Sequence, residues 1–96
     1  MPYVLRHAQS GQIATGILRN GYNLDYYGTK WWDDEEEAEA ERETFLSSVG
    51  VTDVPFWHIL KVDENRLKIF NVKLKNDPSR RLFMDKEGVV TVTTNG

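Results

Sequence analysis

The segment from Trp31 to Val49, WWDDEEEAEAERETFLSSV, constrains this chain more than any other, because it alone joins clear helical periodicity to a dense block of carboxylates. With side chains about 100° apart around a helix, Ala38, Phe45 and Val49 form a narrow stripe flanked by Leu46, while Asp33, Glu36, Glu37, Glu39 and Glu43 point elsewhere. Such a helix has one thin apolar edge and must seat it on other elements. Asp33 or Asp34 can cap its first free N–H groups, Glu36 or Glu37 completes a capping-box-like pair, and Gly50 suits the stop. Inside, Asp33/Glu37, Glu35/Glu39, Glu37/Glu41 and Glu39/Glu43 are like-charge pairs four residues apart, each costing roughly 0.2–0.5 kcal/mol. Only Arg42 is close enough along the helix to offset them. Positive charge from elsewhere in the fold, or from a partner, would stabilise this helix.

The remainder reads as strands and turns. Tyr3–His7 alternates weakly, and Ser10-Gly11 makes a turn. Gln12–Asn20 is expected as an interior strand, with Asn20-Gly21 as a type I′ turn into a strand over Tyr22–Thr29, so that three strands meander before the helix. After the connection VTDVP, Phe56–Val62 alternates clearly. Asp63-Glu64-Asn65 is expected as a tight turn and Arg66–Lys75 as a strand. The apolar set of that strand changes face between Leu67/Ile69 and Phe70/Val72/Leu74, which requires a bulge or burial on both sides. Asn76-Asp77-Pro78-Ser79 is a turn, and Arg80–Asp85 with Val89–Thr94 forms a last hairpin with Gly88 in the left-handed position.

These elements predict an α+β fold in one domain over residues 1–96: an antiparallel meandering β-sheet of about six or seven short strands. One amphipathic acidic α-helix packs on one of its faces, anchored by Phe45, Leu46 and Val49.

The chain has no cysteine, which excludes disulfides, thiolate metal sites and a cysteine nucleophile. No apolar run has the length of a signal peptide or a membrane span, so the expected location is cytoplasmic and no membrane contact is expected. Charge is uneven: residues 1–50 carry 4 basic and 9 acidic side chains, residues 51–96 carry 8 and 6. The two halves are complementary, which fits either internal neutralisation or an external partner.

No catalytic constellation emerges. His7 and His58 lie in separate strands without ligand-like spacing, and Ser10, Ser47, Ser48 and Ser79 have no nucleophile motif around them. The helix carboxylates radiate instead of converging, so neither metal nor cofactor is expected, and no phosphate-binding glycine loop is present. The aromatic group Tyr26, Tyr27, Trp31, Trp32 and Trp57 is the candidate partner-binding set. Adjacent strand residues face opposite ways, so Tyr26/Tyr27 and Trp31/Trp32 cannot all reach one core.

The leading expectation is therefore a small non-enzymatic protein-interaction or regulatory module, with homodimerisation as one form of that contact because a two-sided sheet invites self-association. The first alternative is a single-stranded nucleic-acid binder using Lys61, Arg66, Lys68, Lys73, Lys75, Arg80 and Arg81 with Trp57 and Phe70 as stacking rings. The acidic net charge of −3 argues against it. The second is an acidic inhibitor whose helix imitates nucleic acid.

Overall fold

The computed structural model describes residues 1–94. The chain is α+β, with seven strands in two antiparallel sheets and two α-helices among the described residues. β1 (Tyr3–His7) lies between β5 (Trp57–Lys61) and β2 (Gln12–Ile13), and β6 (Arg80–Met84) and β7 (Val90–Thr94) complete a sheet in the order β5-β1-β2-β6-β7. β3 (Thr15–Arg19) and β4 (Asp25–Thr29) form a separate two-stranded ribbon.

The acidic helix, α1 (Glu35–Ser48), packs on the large sheet as expected. Asp34 caps it, its side chain accepting from the Glu36 N–H at 2.8 Å, and Gly50 follows its end in the left-handed region with φ 82°. The buried line runs through Ala38 and Leu46, with half-buried Arg42 between them four residues from each. Phe45 borders that line edge-on to Trp32, while Val49 stays exposed.

The expected strand over Arg66–Lys75 is instead a second helix, α2 (Glu64–Leu74). Leu67, Phe70 and Leu74 stand at positions i, i+3 and i+7, a spacing that gathers them on one helical face. Phe70 and Leu74 are fully buried. The change of apolar face within this segment was the helical period, not a bulge. Likewise Asp63 does not open a tight turn: it is the N-cap, its carboxylate accepting from the Arg66 N–H. Lys75, with φ 52°, closes the helix in the left-handed conformation.

The two helices lie on opposite faces of the large sheet. Consecutive β1 residues Val4 and Leu5 point to opposite sides. Val4 joins the cluster with Phe70 and Leu74, and Leu5 the cluster with Ala38 and Leu46. The second face, left open if only one helix were present, is covered by α2 of the same chain. The case for self-association built on an uncovered sheet face therefore falls away.

Two smaller expectations also change. Gln12–Asn20 does not continue as one strand, because Ala14 donates its N–H to Leu5 of β1 and accepts at its carbonyl from Lys30 beyond β4. The chain passes there from the large sheet into the ribbon, so no three-stranded meander precedes α1. Asn20-Gly21 does not form the central pair of a type I′ turn either. The Asn20 side chain accepts from the N–H groups of Tyr22 and Leu24, and Asn23 takes the positive φ of 64°. The final hairpin forms as expected, with Gly88 at φ 86°.

Candidate functional site: an open strand edge beside an apolar cleft

The aromatic candidates divide by burial. Tyr27 fills the α2-side cluster, and Trp32 and Trp57 fill the α1-side cluster. All three are interior and offer almost no surface to a partner. Tyr26 is half-buried, its ring lying over Gly28, and Trp31 is 37% exposed beside a hollow of about 200 Å³ lined by Met1, Pro2, Leu67 and Lys68. Surface contact by this group rests with Tyr26 and Trp31, which the fold does not bring into one patch with the other three.

His7 is engaged at both ring nitrogens. The N–H groups of Gln9 and Ser10 both point at Nδ1 at 3.2 Å, so that nitrogen accepts, and Nε2–H donates to Asp53 at 2.8 Å. No lone pair is left for general base work, and the ring sits between Phe56 and Trp57. The Trp57 indole N–H and, second, the His7 ring hold the Asp53 carboxyl below the ordinary aspartate value. His58 is exposed. No cluster of three metal-ligating side chains occurs among the described residues, and none of their helices is long and apolar enough to cross a membrane.

The carboxylates of α1 form no ion pair with any described residue. Arg42 turns away from Glu39 and donates to the Trp57 carbonyl at 3.3 Å. The basic second half does not neutralise the helix by direct pairing. In the basic set, Trp57 and Phe70 are buried and cannot stack on bases, and the strand meant to carry Arg66, Lys68, Lys73 and Lys75 is helical, apart from Lys75 at its cap.

The feature that sequence reasoning missed lies in the ribbon. On β4, the N–H groups of Tyr27 and Thr29 point outward and are taken by the side-chain oxygens of Asn76 and Asn71 at 2.6 and 2.9 Å. Tyr27 faces Ile17 and Thr29 faces Thr15, so these are the non-hydrogen-bonded pairs of the ladder. It follows that Thr15, Ile17 and Arg19 also turn their N–H and C=O groups away from their partner strand. None of these groups hydrogen-bonds to another described residue. One edge of the ribbon is thus closed by amide side chains, and the other is open.

The open edge borders a cleft of about 250 Å³. Ile17, 60% exposed, and Val49 at the end of α1, 42% exposed, line it from the two faces of β3, with Val51 beside Val49 in the sequence. Gly16 allows α1 to come this near: a Cβ there would lie 3.3 Å from the Phe45 ring and 3.4 Å from Val49. At the Thr15 end, the hydroxyls of Thr15 and Tyr27 meet at 2.7 Å, and the Tyr27 hydroxyl donates to the Arg80 carbonyl. Arg81 lines the same end.

No family model, curated protein or solved structure matches this chain, so its geometry alone bears on function.

Proposed function

We propose that this chain is a small non-enzymatic protein-interaction module of the cytoplasm that holds an extended segment of a partner along the open edge of β3. The observation that carries the reading is the row of outward backbone groups at Thr15, Ile17 and Arg19, lying beside exposed Ile17 and Val49. An unpaired strand edge is a template for another strand: main-chain hydrogen bonds supply affinity and neighbouring apolar pockets supply selectivity. Edges that must stay unpaired are usually blunted by charge or proline, and Ile17 at the middle of β3 is neither. Tyr26 and Trp31 are the aromatic residues able to add contact area outside this edge.

The test is capture of partners from source cells by wild type, Ile17→Pro and Ile17→Lys, with mass-spectrometric identification. Proline at 17 removes an outward N–H and no ladder bond, so the ribbon keeps its pairing. Lysine blocks the edge by charge. Both variants are expected to keep the wild-type circular dichroism spectrum and lose the partner. Equal capture by folded Ile17→Pro removes the edge as the contact surface. Sedimentation at rising concentration separates a foreign partner from a second copy paired through the same edge.

A further inference from the structure

The occupant of the β3 edge has a chemistry that the cleft specifies, given that this edge is the contact surface. We propose that the site takes the carboxyl terminus of an extended peptide, with its free carboxylate at Arg81 and its last side chains against Ile17, Val49 and Val51.

Three observations converge. The first is direction. β3 runs from Thr15 to Arg19, so a strand added antiparallel runs from Arg19 towards Thr15 and delivers its C-terminus to the Thr15 end. Arg81 stands there, reaching the Tyr27 hydroxyl at 3.5 Å, one hydrogen bond away from Thr15.

The second is charge. Arg81 has no carboxylate within ion-pair distance among the described residues. Its Nη1 donates to the carbonyls of Pro78 at 2.8 Å and Arg80 at 3.1 Å, which fixes the guanidinium in place. Nε and Nη2 hydrogen-bond to no described residue and remain for an anion. A guanidinium held through one nitrogen, with Nε and Nη2 left over, presents the planar fork that a terminal carboxylate can take in a bidentate pair.

The third is the cleft's wall. Ile17 and Val49 are exposed and line the cleft with Val51, and 250 Å³ admits one or two side chains but not a folded domain. Main-chain pairing, an apolar terminal side chain and a charge-paired end together describe a C-terminal tail. An acidic side chain within a longer segment would also have to leave a chain continuing past Arg81, where Pro78 lines the cleft.

The experiment uses the full chain on an array of randomised octapeptides presented with free C-termini, read beside the same peptides as C-terminal amides. Binders enriched for an apolar last residue are expected, with affinity falling tenfold or more on amidation, and falling to a similar degree for the free acid on Arg81→Gln. Ile17→Pro abolishes both. If amides bind within twofold of the acids, or if an internal Asp or Glu rescues the amides, the C-terminal assignment is overturned, although loss in Ile17→Pro would still support the edge as the contact surface. Binding that is indifferent to Ile17→Pro overturns the edge itself. Absence of any binder on either array overturns the tail as ligand, and leaves the partner-capture experiment to decide the edge.

Discussion

Asn71→Ala should destabilise the protein, although helix propensity alone says that it should stabilise it. Asn71 lies in the last turns of α2, and its side-chain oxygen accepts from the Thr29 N–H at 2.9 Å. Thr29 is fully buried, so water cannot replace that acceptor. A buried donor left without a partner costs about 1–3 kcal/mol. Replacing asparagine by alanine in a helix returns up to about 0.7 kcal/mol. The expected net loss is about 0.3–2.3 kcal/mol. For a chain of this size each kcal/mol moves Tm by about 4–8 °C, so the melting point should fall by about 1–18 °C. Urea titrations followed by circular dichroism measure the change. Asn76→Gly, which keeps the left-handed backbone seen at φ 53° while removing the acceptor for Tyr27, should move stability in the same direction. An Asn71→Ala protein as stable as wild type, or more so, would mean that the amide side chains do not close the β4 edge, and the distinction between the ribbon's two edges would fail with it.

The remaining expectations concern other parts of the molecule. Glu39→Lys exchanges two like-charge pairs, with Glu35 and Glu43, for two attractive ones and should stabilise α1 by about 1 kcal/mol at low salt; denaturation in 1 M salt, at a Debye length of about 3 Å, should erase most of the gain. Asp53 and Asp77 both have carboxyls held below the ordinary aspartate value, Asp53 by Trp57 and His7, Asp77 chiefly by Ser79. Their contribution is complete above the unfolded value of 3.8 and is lost as pH falls through the lower folded values, so Asp53→Asn should flatten the acid limb of a stability–pH curve. Gly11→Ala should lower the denaturation midpoint clearly, because φ is 79° and a Cβ would lie 2.6 Å from the Met84 carbonyl oxygen.

Much of the fold was legible because its signals are local. Asp34 and Gly50 bound α1, alternation marks β1 and β5, and Gly88 turns the last hairpin. α2 was not legible as a helix because Leu67, Ile69, Phe70, Val72 and Leu74 crowd five apolar residues into eight positions, so periods of 2 and 3.6 each fit in part. The deciding signals were Asp63 before the segment and the i, i+3, i+7 spacing of Leu67, Phe70 and Leu74. Ile69 and Val72, which supported a strand, are exposed. The candidate site was hidden for the same reason. Which edge of the β3–β4 ribbon stays open is decided by Asn71 and Asn76, some 42 and 49 residues from their partners, and Asn71 was assigned to a strand that does not exist. Adjacent aromatics did signal that some must be partly exposed, as half-buried Tyr26 and exposed Trp31 are, but alternation could not say that Trp32 would pair with β1 through Tyr3 and turn inward.

Amide hydrogen exchange at Ile17 tests the open edge most directly, because that N–H points away from its ladder while the neighbouring Leu18 N–H lies within it. In dilute free protein, Ile17 should exchange far faster than Leu18, and saturation with a bound tail peptide should slow Ile17 and Arg19 while leaving Leu18 as it was. Equal protection of Ile17 and Leu18 in the dilute monomer, or an Ile17 amide that stays fast in a saturated complex, would contradict strand addition at β3.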